Sequence, residues 1–222
     1  MSKARIFLVD DHPLVREWLG NLLRRQPDLE VCGEAGEPAE ALELMAGAPP
    51  DVAVVDLSFE RGSGLDLIRD LRVRFPDTRV LVLSMHEEAY YAERAIHAGA
   101  RGYVAKREAT SRVVEAINQV LAGRMFVSPE LAEDLLARAA GRPPGEGPGS
   151  VEKLSDRELE VFDRLGRGGT TRGISEELNL SQKTVQEYCA RIKEKLGLAD
   201  NAELVREAVR WGERRPGRSG PP

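Results

Sequence analysis

The run Val52-Ala-Val-Val-Asp56-Leu57 constrains this chain more than any other stretch. It is apolar throughout except for one carboxylate, with Pro49 and Pro50 before it and Ser58 to Gly64 after it. Such a run fits a central parallel strand buried on both faces. A buried strand ending on a charge puts that charge at the carboxyl edge of its sheet, where open α/β folds bind ligands. Asp56 is therefore the candidate reactive centre.

The same grammar repeats on both sides of it. Ile6 to Val9 closes on Asp10 and Asp11, and Leu14, Val15, Trp18, Leu19, Leu22 and Leu23 then recur at helical spacing. Leu29 to Ala35 reads as a strand and Ala39 to Met45 as a helix. A helix with Leu65, Leu67, Ile68 and Leu71 follows the central run. Arg79 to Leu83 is a strand, Ala89 to Ala98 a helix stopped by Gly99, Gly102 to Ala105 a strand, and Ser111 to Leu121 a helix. Five strands alternating with five helices predict a doubly wound, five-stranded parallel sheet.

Length allows a second, smaller domain, since 222 residues suffice for two modest cores. The composition, 41% hydrophobic and 31% charged, is that of a soluble globular chain, and the net charge of -5 does not mark the whole as a polyanion binder. Residues 151–222 hold fourteen basic against thirteen acidic residues, and residues 1–150 eighteen against twenty-four. That balance permits nucleic-acid binding by the second half without demanding it. The only cysteines, Cys32 and Cys189, lie far apart in stretches that read as a core strand and a core helix, the usage of a reducing compartment. Two aspartates precede any signal-length apolar run, and no run approaches the ~18 apolar residues of a membrane span. A cytoplasmic protein is expected.

Parallel strands bring Asp10, Asp11, Asp56, Ser84 and Lys106 to one edge. Singly, each has an ordinary reading as a cap, a turn former or a solvated loop residue. Together they describe a site. Three converging carboxylates require a cation or a raised pKa, and an all-oxygen, water-accessible set suits Mg²⁺. With the Ser84 hydroxyl and the Lys106 ammonium on its oxygens, a phosphoryl group could be carried by Asp56 as nucleophile.

Asp10-Asp11, Val-Val-Asp56-Leu with Gly64-Leu-Asp-Leu67, Leu83-Ser84-Met85-His86, and Gly99-Ala-Arg-Gly102-Tyr103-Val-Ala-Lys106 together resemble the flavodoxin-like receiver domain of bacterial two-component response regulators. The resemblance covers about residues 1–125. It implies Asp56 as phosphoacceptor for a histidine kinase and Asp10 and Asp11 as the pair that holds Mg²⁺. Ser58 would ligate through its backbone carbonyl, Ser84 and Lys106 would form the phosphate-sensing pair, and Tyr103 would be the switch aromatic. An ordinary half-buried strand aromatic is the alternative for Tyr103. Where the family usually has Pro four residues after the phosphoacceptor this chain has Glu60, which removes a φ constraint and adds negative charge. Phosphorylation is expected to survive the change.

Residues 126–150 read as a linker. Ser128-Pro129-Glu130 starts a helix over residues 127–140, and Gly141 to Gly149, with four glycines and three prolines, packs no core. From Leu154 the pattern is helical. Ser155-Asp-Arg-Glu158 is a capping box, Gly168-Gly169 ends the first helix, and Thr171 to Leu178 forms a second. Ser181 caps a third helix, Gln182 to Leu196, closed by Gly197. The short turn between the last two fits a helix-turn-helix. Val185, Cys189, Ile192 and Leu196 form its expected buried stripe; the outer face, Lys183, Gln186, Glu187, Ala190, Arg191 and Glu194, is of mixed charge. Composition alone leaves base reading and a solvated bundle face equally open.

Leu154-Ser155-x-Arg157-Glu158-x-Glu160-Val161, Ile174-Ser175-x-x-Leu178-x-Leu180-Ser181-x-x-Thr184-Val185 and Ile192-x-x-Lys195-Leu196-Gly197-Leu198 resemble the DNA-binding domain of the quorum-sensing and nitrate-regulator type. This four-helix domain would span residues 151–211, ahead of a disordered tail, 212–222. The resemblance implies that Gln186, Glu187 and Ala190 face bases of double-stranded DNA and that Lys183, Thr184, Arg191 and Lys193 serve its backbone. Gln186 and Tyr188 stand where the family usually has Lys and His, and Gly173 where it has Glu, so modest affinity that depends on dimerisation is expected. The last helix, around Ala202 to Trp211, supplies a dimer contact in that family.

The sequence thus predicts a phosphorylation-controlled transcription regulator that forms a homodimer when phosphorylated. Two other classes compete with this reading. An aspartate-nucleophile phosphatase needs a second Asp two residues after the nucleophile, and that position is Ser58. A receiver that signals mainly through protein contacts, with a weak DNA reader, fits the mixed charge of the third helix.

Overall fold

The computed structural model describes residues 3–59, 62–85, 89–129, 131–133, 135–136, 151–178 and 180–213. The expectations for Glu60, for the Gly141–Gly149 segment and for the tail beyond residue 213 lie outside them. The chain forms two compact units, Met1–Arg142 and Pro143–Pro222.

The first unit runs β1 (Ala4–Val9), α1 (Pro13–Arg24), β2 (Leu29–Ala35), α2 (Pro38–Ala46), β3 (Val52–Val55), α3 (Gly64–Arg74), β4 (Arg79–Ser84), α4 (Ala89–Ala98), β5 (Gly102–Ala105) and α5 (Ala109–Leu121). All strand pairs are parallel, in the order β2-β1-β3-β4-β5, so the run that dominates the sequence is the central strand. β1 ends level with it, and β4 runs two residues further, to Ser84. Val9 lies beside Val55 and Val55 beside Val82. The chain reverses its strand order at β1 and β3, which opens a crevice between their carboxyl ends.

β3 is shorter than the apolar run implies, ending at Val55 rather than Leu57. The Asp56 N–H still donates to the Val9 carbonyl at 2.9 Å, but the Leu57 N–H turns onto the Asp56 carboxylate at 2.7 Å. A side chain that captures its neighbour's amide takes it from the ladder. α5 begins at Ala109, two residues early, after a tight 3-10 turn over Lys106–Glu108.

Side-chain alternation along each strand divides the core in two. Ile6, Leu8, Val52, Val54, Leu81, Leu83 and Val104 pack with Leu19 and Leu23 of α1 and Val113, Ile117 and Val120 of α5. The intervening Phe7, Val9, Ala53, Val55, Val80 and Val82 are also buried, as are Ala41, Met45, Leu65, Ile68, Leu71, Ala92 and Ala95 of α2 to α4. Each of the larger side chains among them, Val, Leu, Ile, Phe or Met, contributes about 1.5–3 kcal/mol. The register between β1 and β2 shifts between Ile6 and Phe7, leaving Cys32 as the extra residue of a bulge. Cys32 is therefore half-buried rather than in the core. Gly33 makes room for the Phe7 ring, since a Cβ there would stand 2.5 Å from it.

The first unit also extends past residue 125. Phe126 is buried, donates its N–H to the Arg101 carbonyl at 3.1 Å and accepts from the Tyr103 N–H at 2.8 Å. It covers the exposed edge of β5, an edge that would otherwise present unpaired backbone groups. Beyond it, the described residues between 129 and 136 are helical, the Ser128 hydroxyl accepts from the Leu131 N–H, and Leu131 is buried.

The second unit holds α6 (Asp156–Gly166), α7 (Thr171–Glu177), α8 (Gln182–Leu196) and α9 (Asn201–Glu213). Each start and stop has a local cause. Ser155 and Glu158 form the capping box of α6, Thr170 caps α7, Ser181 caps α8, and Gly197, at φ +69°, ends α8. Phe162, Ile174, Val185, Ile192, Leu204 and Ala208 form the core, with the Trp211 ring 5.6 Å from that of Phe162. Cys189, expected in the buried stripe, is half-buried. α9 continues to Glu213, two residues past the expected domain end.

Candidate functional site

Four strand ends meet in the first unit. Lys106, just past β5, places its ammonium 2.7 Å from Asp10 Oδ2 and 2.7 Å from Asp56 Oδ2. Asp56 is 2% exposed and Asp10 6%. Burial pushes the Asp56 carboxyl up to about 6; Lys106 opposes that shift and Asp10 adds to it. For Lys106 burial works against the charge, but the Asp56 and Asp10 carboxylates outweigh it and hold the ammonium above the usual lysine value. The backbone N–H of Ser58 also bonds Asp56 and steadies its charged form.

Asp11 joins through His12, whose Nδ1 lies 2.6 Å from Asp11 Oδ1 and 3.2 Å from Asp10 Oδ1. The His12 N–H donates to Asp10 Oδ1 at 2.9 Å, and the Arg16 guanidinium donates to the Asp10 backbone carbonyl. One potential ligand atom from each of Asp10, Asp11, His12 and Asp56 lies within 4.8 Å of the others. Three are hard carboxylate oxygens, a donor set suited to a small divalent cation. Ser84 closes β4 and is fully buried. Tyr103 is buried in β5, not half-buried. Gly64 holds the acidic loop against the start of α3, because a Cβ there would stand 2.3 Å from the Asp56 carbonyl oxygen.

In the second unit α7, a short turn and α8 form the helix-turn-helix. Lys183, Gln186, Glu187, Ala190 and Arg191 are exposed along α8, while Thr184 and Lys193 are partly buried. Thr184 is engaged locally, its N–H bonded to Ser181 Oγ at 3.0 Å and its hydroxyl 2.8 Å from the same oxygen. Arg191 lies over the Tyr188 ring at 5.8 Å. The inner side of α8 is tied down by Lys195, which reaches Glu158 Oε2 at 2.6 Å. Glu158 is 3% exposed and also closes the α6 capping box.

Residues 6–118 match the response regulator receiver domain, and residues 152–208 the bacterial regulatory proteins of the luxR family. The DNA-binding transcriptional activator DevR/DosR of Mycobacterium tuberculosis is 37% identical over 218 residues, covering 98% of this chain and 100% of that protein. The chain belongs to the LuxR-family response regulators. A two-component response regulator of the LuxR family from Aurantimonas sp. SI85-9A1 is 38% identical, with a TM-score of 0.59, over 63% of this chain and 99% of that one. RcsB of Salmonella enterica serovar Typhimurium, solved on promoter rprA with the phosphomimetic BeF3-, shares the fold at 24% identity and a TM-score of 0.60, over 94% of this chain and 99% of its own.

Measured against that family, the expected architecture of a five-stranded parallel receiver and a helical DNA-binding domain is the one found. Asp10, Asp56 and Lys106 are in direct contact, and Asp11 joins their cluster. His12, Arg16 and Gly64 are the site residues that strand-end reasoning passed over. His12 had a signal, since a histidine directly after two candidate ligands is a third donor. Arg16 had none, because only the fold carries its guanidinium back one turn of α1. Among the described residues no helix is long and apolar enough to cross a membrane.

Proposed function

We propose that this response regulator accepts a phosphoryl group on Asp56 from a histidine kinase and, as a phosphorylated homodimer in the cytoplasm, binds specific double-stranded DNA to regulate transcription. The observation that carries the proposal is the Lys106 ammonium bonded to both Asp56 and Asp10 at the mouth of the sheet. Asp10, Asp11 and Asp56, with the Ser58 carbonyl, would hold Mg²⁺, which when bound neutralises charge on the phosphoryl oxygens.

The chain's own groups account for the rest. Although burial raises its pKa to about 6, the Lys106 ammonium favours its charged form, so Asp56 can act as the carboxylate nucleophile at neutral pH. One carboxylate oxygen forms the O–P bond as the P–N bond of the donor phosphohistidine breaks, and the leaving imidazole takes up a proton. Lys106 then exchanges a carboxylate for a phosphoryl oxygen, and the Ser84 hydroxyl donates to another. The buried Tyr103 follows Ser84 as the switch, which shifts the population toward the dimer.

In the second unit the exposed face of α8 enters the major groove. Gln186 and Glu187 read base edges beside Ala190, while Lys183, Thr184, Arg191 and Lys193 hold phosphates. That relatives are named DNA-binding transcriptional activator and, in RcsB, were solved on a promoter supports this reading. Genome-wide mapping of bound DNA for the wild type and for Asp56→Asn tests it. Discrete sites that weaken in the variant are expected, and the absence of any preferred site in the wild type overturns the proposal.

A further inference from the structure

The end of the sheet opposite Asp56 carries a second concave site, which the phosphoryl chemistry does not use. A cleft of about 560 Å³ opens between the ends of α3 and α4, the starts of β4 and β5, and the segment from Gly123 to Met125. Pockets of roughly 300–1,000 Å³ are those that take small organic ligands.

Three arginines line it, Arg72, Arg79 and Arg101, opposed by the single carboxylate of Asp77. Among the described residues no side-chain hydrogen bond or ion pair holds any of the three guanidiniums. Other arginines of this unit are held by side chains or backbone oxygens: Arg16 pairs with Glu34, Arg69 with Asp66 and Arg112 with Glu108, while Arg24 and Arg124 donate to the amide oxygens of Asn21 and Gln119. A solvated-surface reading explains exposed arginines one at a time. It does not explain three around one hollow whose wall includes the buried Val80 and Ala100.

Their placement is built into the backbone. The Arg79 N–H donates to the Asp51 carbonyl at 3.0 Å. Arg101 is held on both sides, its N–H on the Val80 carbonyl at 2.7 Å and its own carbonyl accepting from Phe126 at 3.1 Å. The Arg72 stem runs over Gly99, where a Cβ would stand 2.9 Å from Arg72 Cδ and where φ is +128°. A side chain at position 99 would strain the backbone and displace Arg72.

Guanidiniums present forks that match phosphate oxygens. The C-terminal dipoles of α3 and α4 subtract about half a charge each from the field, so a monoanion gains little and a ligand with several phosphate charges gains most. We infer that this cleft binds a small organic polyphosphate of nucleotide size, its phosphates on Arg72, Arg79 and Arg101 and its organic body against Val80, Ile96 and Met125.

Calorimetric titration of the full chain with ATP, and separately with inorganic pyrophosphate, tests the inference in metal-free buffer. Saturable single-site ATP binding is expected, with pyrophosphate weaker because it lacks the organic body. The Arg79→Gln/Arg101→Gln double variant should weaken ATP by about tenfold or more, while Asp56→Asn should leave it unchanged. Thermal melts establish that the variants fold; should the double variant fail to, Arg72→Gln at the exposed rim carries the same expectation. No saturable binding of either probe up to millimolar concentration overturns the inference. So does ATP binding that survives the arginine substitutions or is lost in Asp56→Asn, and so does saturation by an arbitrary DNA duplex alone.

Discussion

Asp56 is held in a compromise between burial, which disfavours its charge, and Lys106, which favours it, and burial prevails. Its pKa is higher in the folded chain, about 6, than the usual 3.8. The stability linked to it is therefore fully present below pH 3.8 and is lost as the pH rises through about 6. At neutral pH the ionised side chain is therefore destabilising. Asp56→Asn should accordingly raise the melting temperature in metal-free buffer at pH 7.5, with the gain shrinking as the pH falls from 6 toward 4. A gain independent of pH would contradict this account. Lys106→Met acts in the opposite sense, leaving two buried carboxylates without their cation, and should cost about 3–5 kcal/mol in denaturant unfolding. At this scale the sequence was legible wherever a residue ends a strand. Asp10, Asp56 and Lys106 could be found because parallel strands align their ends, whereas Arg16 reaches the site only through the turn of α1.

At the level of elements, the acidic loop and α3 are locked by a backbone contact that tolerates no side chain. Gly64→Ala puts a Cβ into the Asp56 carbonyl and should destabilise the chain by roughly 1–3 kcal/mol while slowing phosphoryl acceptance, as read by urea unfolding and by labelling rate. In α8 the two faces should separate cleanly. Lys195→Met strands the buried Glu158 and should lower the stability of the second unit, whereas Lys183→Ala should leave stability alone and reduce the salt slope of DNA binding by about one. Helix ends were legible from capping residues such as Ser155, Ser181 and Gly197. Strand ends were less so: apolar residues continue to Leu57, but the ladder stops at Val55 because the Asp56 carboxylate takes the next amide. Cys32 was misplaced for a related reason, since a bulge changes which residues face the core without altering the hydrophobic pattern.

For the whole molecule, two units with separate cores divide the labour of a LuxR-family response regulator, and the stretch expected as a linker begins by completing the first unit's sheet at Phe126. A hydrophobic pattern ending at Leu121 gave no sign that the backbone of Phe126 would pair with β5. The proposed function rests on one carboxylate, Asp56 at the mouth of this sheet, as carrier of the phosphoryl group. Intact-mass and peptide-mapping measurement after incubation with acetyl phosphate and Mg²⁺ tests it most directly. The mass of one phosphoryl group is expected, mapped to Asp56 and absent from Asp56→Asn. A label on any other residue, or equal labelling of the variant, would contradict it.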